Sequence, residues 1–234
     1  MYEFGEKHPI GFEIILIIVS FLAAGVIVVA CSLVYMHPDL ASSVARIFVG
    51  IALLLIYRRA FKGENPFANL KIMIPLLLFP AWNFFYNLSS GMSFGGSYIW
   101  AEAAVTAIAP ALFEEVIFRG IFIYNLKKKE YSDISCLFIT AAVFAIVHLT
   151  NLAGQSFATV ALQTVYSFVI GLALAAVYLK NKSIVQVIAA HFLIDFTNRI
   201  YLEQAGSATT VQLVIFVVLL AAEAAYAVKL TLAE

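Results

Sequence analysis

Charge is what this sequence most lacks. Lys, Arg, Asp and Glu make up 12% of its 234 residues, about half the ~25% usual in a soluble domain. The 14 basic and 14 acidic side chains cancel, so no net field attracts nucleic acid or an acidic partner. Only two cysteines are present, Cys31 and Cys136. Both fall inside apolar runs, which excludes a disulfide framework and leaves them as small hydrophobes. Alternating apolar and polar residues are also missing, and a closed β-barrel is excluded with them. No stretch is long or polar enough to serve as an interdomain linker, and no internal repeat is visible. One domain over residues 1–234 is expected.

What fills the chain instead is apolar. Hydrophobic residues reach 63% and the mean hydropathy is +0.98, with 20 Phe and 11 Tyr. A water-soluble fold could not cover that surface, so lipid must be the solvent for much of it. A crossing helix needs roughly 20 apolar residues at ~1.5 Å rise each. On that basis the chain reads as an all-α, polytopic membrane bundle of about eight helices, at 12–36, 43–60, 71–88, 98–126, 133–150, 157–179, 183–201 and 209–230. Breaker signals such as Gly63-Glu64-Asn65-Pro66 and Ser89-Ser90-Gly91 separate several of them. The first run, Ile10 to Tyr35, is too long for a signal-peptide core. Glu3, Glu6 and Glu13 outnumber Lys7 around its start, so it is expected to remain as a span.

Loop charges predict an orientation. With eight crossings and a cytoplasmic N-terminus, 11 Lys and Arg fall on the cytoplasmic side and 2, Arg46 and Arg199, on the other, while Arg119 lies within a span. That asymmetry predicts both termini in the cytoplasm. The small size without appended domains suits a bacterial cytoplasmic membrane.

Ionisable residues inside spans are costly, at about 2.5–3.5 kcal/mol each on insertion scales, and are functional candidates by default. The densest group is Phe113-Glu114-Glu115-Val116-Ile117-Phe118-Arg119 in the fourth span, which also holds Pro110, a residue expected to bend it. His148 lies in the fifth span, and His191 and Asp195 lie in the seventh. Counted from the cytoplasmic ends, Glu114 and Asp195 fall at ~18 Å, His148 at ~22 Å and His191 at ~12 Å. Three helices thus bring their polar groups to compatible depths. Glu115 and Arg119 are four apart and share a face, which predicts a charge-neutralising ion pair. Glu114 is turned about 100° from its neighbour and should face a cavity.

The chemistry these groups suit is hydrolysis. Glu114 would take a proton from water, His148 would position that water, and His191 with Asp195 would steady the oxyanion. Alternatively, His148, His191 and Glu114 could hold a zinc ion that lowers the water's pKa. No His-Glu-x-x-His and no Gly-x-Ser-x-Gly is present, and Asp195 is the only intramembrane aspartate candidate.

The set Glu114-Glu115-xxx-Arg119, Phe144-xxx-His148 and His191-xxx-Asp195 resembles the three motifs of the CPBP intramembrane proteases, a family that includes type II CAAX prenyl endopeptidases and bacteriocin-linked relatives. The resemblance covers a motif-bearing core of about 98–201, with the motifs at 114–195. It implies that Glu114 activates water with His148, and that His191 and the residue four further on form an oxyanion site. That last position is often Asn in the prenyl-protease branch and is Asp195 here; an ionised Asp cannot donate a hydrogen bond. It suits orienting His191 or contacting a metal instead. The family is commonly called metalloproteases, yet a metal-free glutamate route is equally consistent with these residues.

The expected partners are membrane lipids and a hydrophobic or membrane-anchored peptide, with no nucleic acid. A proton-coupled transporter remains an alternative, although it would prefer matched broken helices in repeated halves. A non-catalytic peptide-binding immunity or scaffold protein is a third. Glu223 in the last span, Glu102 at the start of the fourth, and His8 and His37 in leader and loop are read as non-catalytic.

Overall fold

A computed structural model describes residues 2–202 and 209–233. A short helix α1 (Tyr2–Lys7) leads into α2 (Pro9–Ser32) and α3 (Pro38–Ile56). Two 3₁₀ turns, Leu70–Met73 and Pro75–Leu77, run into α4 (Leu78–Ser89). The fourth span is composite: α5 (Ser97–Glu115), a π-helical stretch (Val116–Phe122) and α6 (Ile123–Lys128). Then come α7 (Asp133–Val147) with a 3₁₀ turn (His148–Ala153), α8 (Phe157–Asn181), α9 (Ile184–Thr197) and α10 (Thr210–Leu232). All eight expected helical segments are present, and the fold is a polytopic helical bundle. Six are long and apolar enough to cross a membrane among the described residues.

The boundaries moved for local reasons. Proline at the first helical turn, where its missing N–H has no intrahelical role, starts α2 at Pro9 and α3 at Pro38. The expected continuous helix over 71–88 opens as 3₁₀ turns around Pro75. Helix α9 stops at Thr197, short of residue 201, because the chain turns to pair with the 93–95 segment. There Gly95 N–H donates to Ile200 C=O at 2.9 Å, and Leu202 N–H donates to Ser93 C=O at 3.1 Å. Side-chain caps fix other starts: Ser132 opens α7, Ser156 opens α8, and Thr209 with Gln212 forms a capping box on α10.

Helix α8 is the axis of the bundle. Every residue from Ile170 to Tyr178 is buried, as expected for a helix apolar all round. Helices α7 and α10 pack most extensively on it, while α5 is held between α3 and α9. Ile14, Ile18, Leu22 and Val26 form an exposed stripe along α2 at four-residue spacing. In water such a stripe would drive aggregation, whereas in a bilayer it faces acyl chains. The chain alternates direction, so the start of α2, the end of α6 and the end of α8 meet at one end of the bundle. Arg59, Lys62, Lys127, Lys128 and Lys182 gather there around one pocket.

Candidate active site

The composite span sets the position of the two glutamates. Glu114 and Glu115 occupy the last turn of α5, immediately before the π stretch. A π turn closes on i→i+5 bonds, which widens the helix and rotates the next turn relative to an α-helix; such insertions recur at functional sites. Pro110 lies within α5 one turn earlier and lines the same cavity as Glu114. The wide turn is packed tightly on its outer side. A Cβ on Gly120 would come within 2.3 Å of the Phe61 ring, so only glycine admits this contact.

Behind the cavity lies a fully buried charge cluster. Glu115 and Arg119 are both 0% exposed. Arg119 Nη1 donates to Glu115 Oε1 at 2.9 Å, forming the predicted i,i+4 pair. The guanidinium also donates from Nη2 to the Gly171 carbonyl at 3.2 Å and lies 4.4 Å from the centre of the Phe144 ring. Two uncompensated charges here would be prohibitive, and pairing removes the net charge. The same Glu115 oxygen accepts from His191 Nδ1 at 2.7 Å. One carboxylate therefore joins α5, the π stretch and α9.

This arrangement orients His191. With Nδ1 committed to Glu115, the ring turns Nε2 toward Glu114, whose Oε2 is 3.9 Å away. The sequence offers Asp195 for orienting His191 or contacting a metal; in the structure it is Glu115 that bonds the ring. Asp195 instead lies 3.7 Å from Arg199, one turn on along the same stretch of chain. An i,i+4 spacing places side chains on one face without deciding which neighbour from another helix outcompetes them.

His148 is fixed by its own helix. Its Nδ1 lies 2.8 Å from the Phe144 carbonyl. A carbonyl can only accept, so Nδ1 carries the hydrogen and, in the neutral ring, Nε2 is the bare acceptor. Phe144 meets both histidines edge to face, at 4.8 Å from His148 and 6.1 Å from His191. It is a shared wall between the two imidazoles and the arginine.

Glu114, His148, His191 and Asp195 all line one cavity of about 590 Å³. The agreement in depth expected from helix rise is thus an agreement in space. The two glutamates differ as predicted: the Glu114 side chain is 19% exposed, whereas that of Glu115 is 0%. Of the pair, Glu114 alone is open to water in the cavity. Arg46, Asn151, Gln163, Tyr166, Asn198 and Arg199 also line the cavity, and the sequence marks none of them for a site role. Polar residues near span ends carry no signal in a single sequence, because headgroup solvation accounts for them equally well.

The histidines and Glu114 do not fit a metal as arranged. Among the described residues no three His, Cys, Asp or Glu side chains gather closely enough to hold an ion. Each ring has Nδ1 engaged, by Glu115 in one case and by a backbone carbonyl in the other, which leaves Nε2 as the nitrogen each turns to the cavity.

Residues 95–197 match the family model described as Type II CAAX prenyl endopeptidase Rce1-like. Over that stretch the chain is similar to the Rce1-like endopeptidases, which is consistent with the CPBP resemblance. The matched stretch is 103 of 234 residues, a little under half of the chain, and contains all three motifs and the whole of the charge cluster. No curated protein and no solved structure matches the chain.

Proposed function

We propose that this protein is an intramembrane endopeptidase that cleaves a membrane-anchored or hydrophobic peptide by glutamate-activated water. The observation that carries this reading is the shared cavity. A water-accessible Glu114 and the histidines His148 and His191 line it together, with a neutralised carboxylate–arginine pair behind them. The Rce1-like match supports an endopeptidase as the reaction class.

In this mechanism Glu114 takes one proton of a water as its oxygen attacks the scissile carbonyl carbon. His148 Nε2 accepts the other water hydrogen and aims the lone pair. The carbonyl electrons move onto oxygen, and that oxyanion is met by hydrogen-bond donors lining the cavity. His191 in its protonated form supplies one through Nε2–H, and the Asn198 amide can supply another. Collapse of the tetrahedral intermediate breaks the C–N bond, and Glu114 returns its proton to the leaving amine. Glu115 and Arg119 act through His191: they hold the ring in register without touching substrate. Asp195 would hold Arg199 at the cavity mouth and add negative charge near His191.

The lysine-rich end of the bundle, and both termini with it, would lie in the cytoplasm by the positive-inside rule. The cavity then opens away from the cytoplasm, through the 148–156 turn. Cysteine-accessibility labelling at Gln155 and at Lys62 tests this, with outside reagent expected to reach Gln155 alone.

The deciding experiment compares membrane peptides in cells carrying wild-type or Glu114→Gln protein, followed by cleavage of the affected peptide by protein in nanodiscs. Loss of product with the variant is expected, and an undiminished product would overturn the reading. Purified protein is expected to cleave in the presence of chelator without stoichiometric zinc; one zinc per chain, with activity lost on its removal, would overturn the metal-free route.

A further inference from the structure

At the opposite end of the bundle from the catalytic cavity lies a second pocket of about 610 Å³, and its walls are basic. Five cations from three separate segments line it. Arg59 and Lys62 come from the connection after α3, Lys127 and Lys128 from the end of α6, and Lys182 from the end of α8. Glu64 and Asp133 are the acidic residues there, so the formal charge of the lining is 5 − 2 = +3. Both acids are already engaged. Asp133 Oδ1 takes Lys127 Nζ at 2.6 Å, while Glu64 accepts from the Tyr178 hydroxyl at 2.8 Å and the Ile184 N–H at 2.7 Å.

The backbone carries a second sign. Lys182 caps α8 in the left-handed region, with φ of +45°. Glycine is the usual residue at such a cap, and a side chain there is disfavoured. The chain keeps a lysine at a position that local geometry would assign to glycine, and that lysine lines the basic pocket. Such an outlier points from strain to function.

We propose that this pocket binds the phosphate headgroup of an anionic lipid. Its size lies within the range of small-ligand sites. Its walls are the ends of bundle helices, where headgroups lie. Tyr124 and Tyr178 line it, with Lys128 Nζ 5.6 Å from the Tyr124 ring centre, and both tyrosines suit the interface between acyl chains and water. A headgroup held here leaves its acyl chains lying along apolar helix surface. A free phosphate compound offers the same anion without that second contribution. The site is independent of the peptidase reading, since none of its residues lines the catalytic cavity.

The test uses the full chain purified in neutral detergent. Binding of phosphatidylglycerol and of phosphatidylcholine is measured by native mass spectrometry and by vesicle titration, alongside glycerol 3-phosphate and a glutamate-rich peptide. Wild type should retain phosphatidylglycerol in preference to phosphatidylcholine. Each lysine removed should weaken that retention about fivefold, taking roughly 1 kcal/mol per basic residue near an anionic surface. Lys182→Gly is the sharpest variant, because it should lower lipid retention while leaving thermal stability equal or higher. The triple change Lys62→Gln, Lys128→Gln and Lys182→Gly should abolish the preference. Equal retention of both lipids by wild type, or unchanged retention by Lys182→Gly and the triple variant, would overturn the proposal. Binding of glycerol 3-phosphate as tightly as the lipid would overturn the lipid as occupant, as would preferential binding of the acidic peptide.

Discussion

Two cavities of this bundle are nearly equal in volume and opposite in construction. In the one lined by Glu114 and the two histidines, charges are chained: Glu115 is shared between Arg119 and His191, and Glu114 is left facing the opening. In the basic one, like charges are collected: five cations from three segments surround one space that holds two carboxylates. The difference follows from depth. Inside the bilayer an unpaired charge is costly, so Glu115, Arg119 and His191 are held to one another. At the headgroup level water and phosphate supply further partners, so cations can outnumber the carboxylates around them. A reactive site therefore suits the first region and an anion site the second.

Glu114 is where this contrast breaks most sharply. Glu114→Gln removes the only water-accessible carboxylate of the Glu114–Glu115 pair and should lower cleavage by at least about 10²-fold, the usual weight of a general base. Its melting temperature should stay near wild type, because the amide occupies the same volume in a solvated cavity. Rate and Tm measured on one nanodisc preparation check both statements.

Glu115 and Arg119 should behave in the opposite sense. Glu115→Gln or Arg119→Met leaves a buried charge without its partner, at a cost of about 3–5 kcal/mol. The double variant removes both charges and should recover most of that stability. Its cleavage should remain low, because His191 has lost the carboxylate that turns its ring. A thermal-unfolding double-mutant cycle, with activity on the same four proteins, separates the two roles. A double variant as unstable as the worse single one would mean that the pair does more than cancel charge. Phe144→Leu is milder: it keeps an apolar wall while loosening both imidazoles and the guanidinium, and about a tenfold loss of rate is expected.

Legibility in the sequence divides along the same line. The helices were legible, because lipid imposes a length and an apolar composition that survive reading one residue at a time. The site residues were visible for the converse reason, since Glu114, His148 and His191 are expensive where they stand. Helix rise puts them at compatible depths, and the structure brings them to one cavity. Three things were hidden. The π stretch over Val116–Phe122 has no signature in single-residue propensities, yet it comes directly after the two glutamates. The choice of Glu115 over Asp195 as the partner of His191 depends on how α5 packs against α9, which no spacing within either helix encodes. The basic pocket is scattered through the sequence as separate loop charges, since residues near 60, 128 and 182 are joined only by the fold.

The smallest effect is expected at Glu64, where the basic end touches acid chemistry of its own. Burial holds this carboxyl above its ordinary value of 4.5, while the Ile184 N–H and the Tyr178 hydroxyl pull it partly back. A carboxyl raised on folding binds its proton more tightly in the native state than in the unfolded chain. Its contribution to stability is therefore complete below pH 4.5 and is lost as pH rises through the raised native value. Glu64→Gln removes the titration and retains one acceptor oxygen for the Ile184 N–H. Because the site is part-exposed, the effect should stay below about 1 kcal/mol, or less than about 4 °C in Tm. Comparing thermal unfolding of wild type and variant from pH 4 upward should show wild type losing stability relative to the variant. A difference that grows in the other direction would mean that the hydrogen bonds to Ile184 and Tyr178, rather than burial, govern this carboxylate.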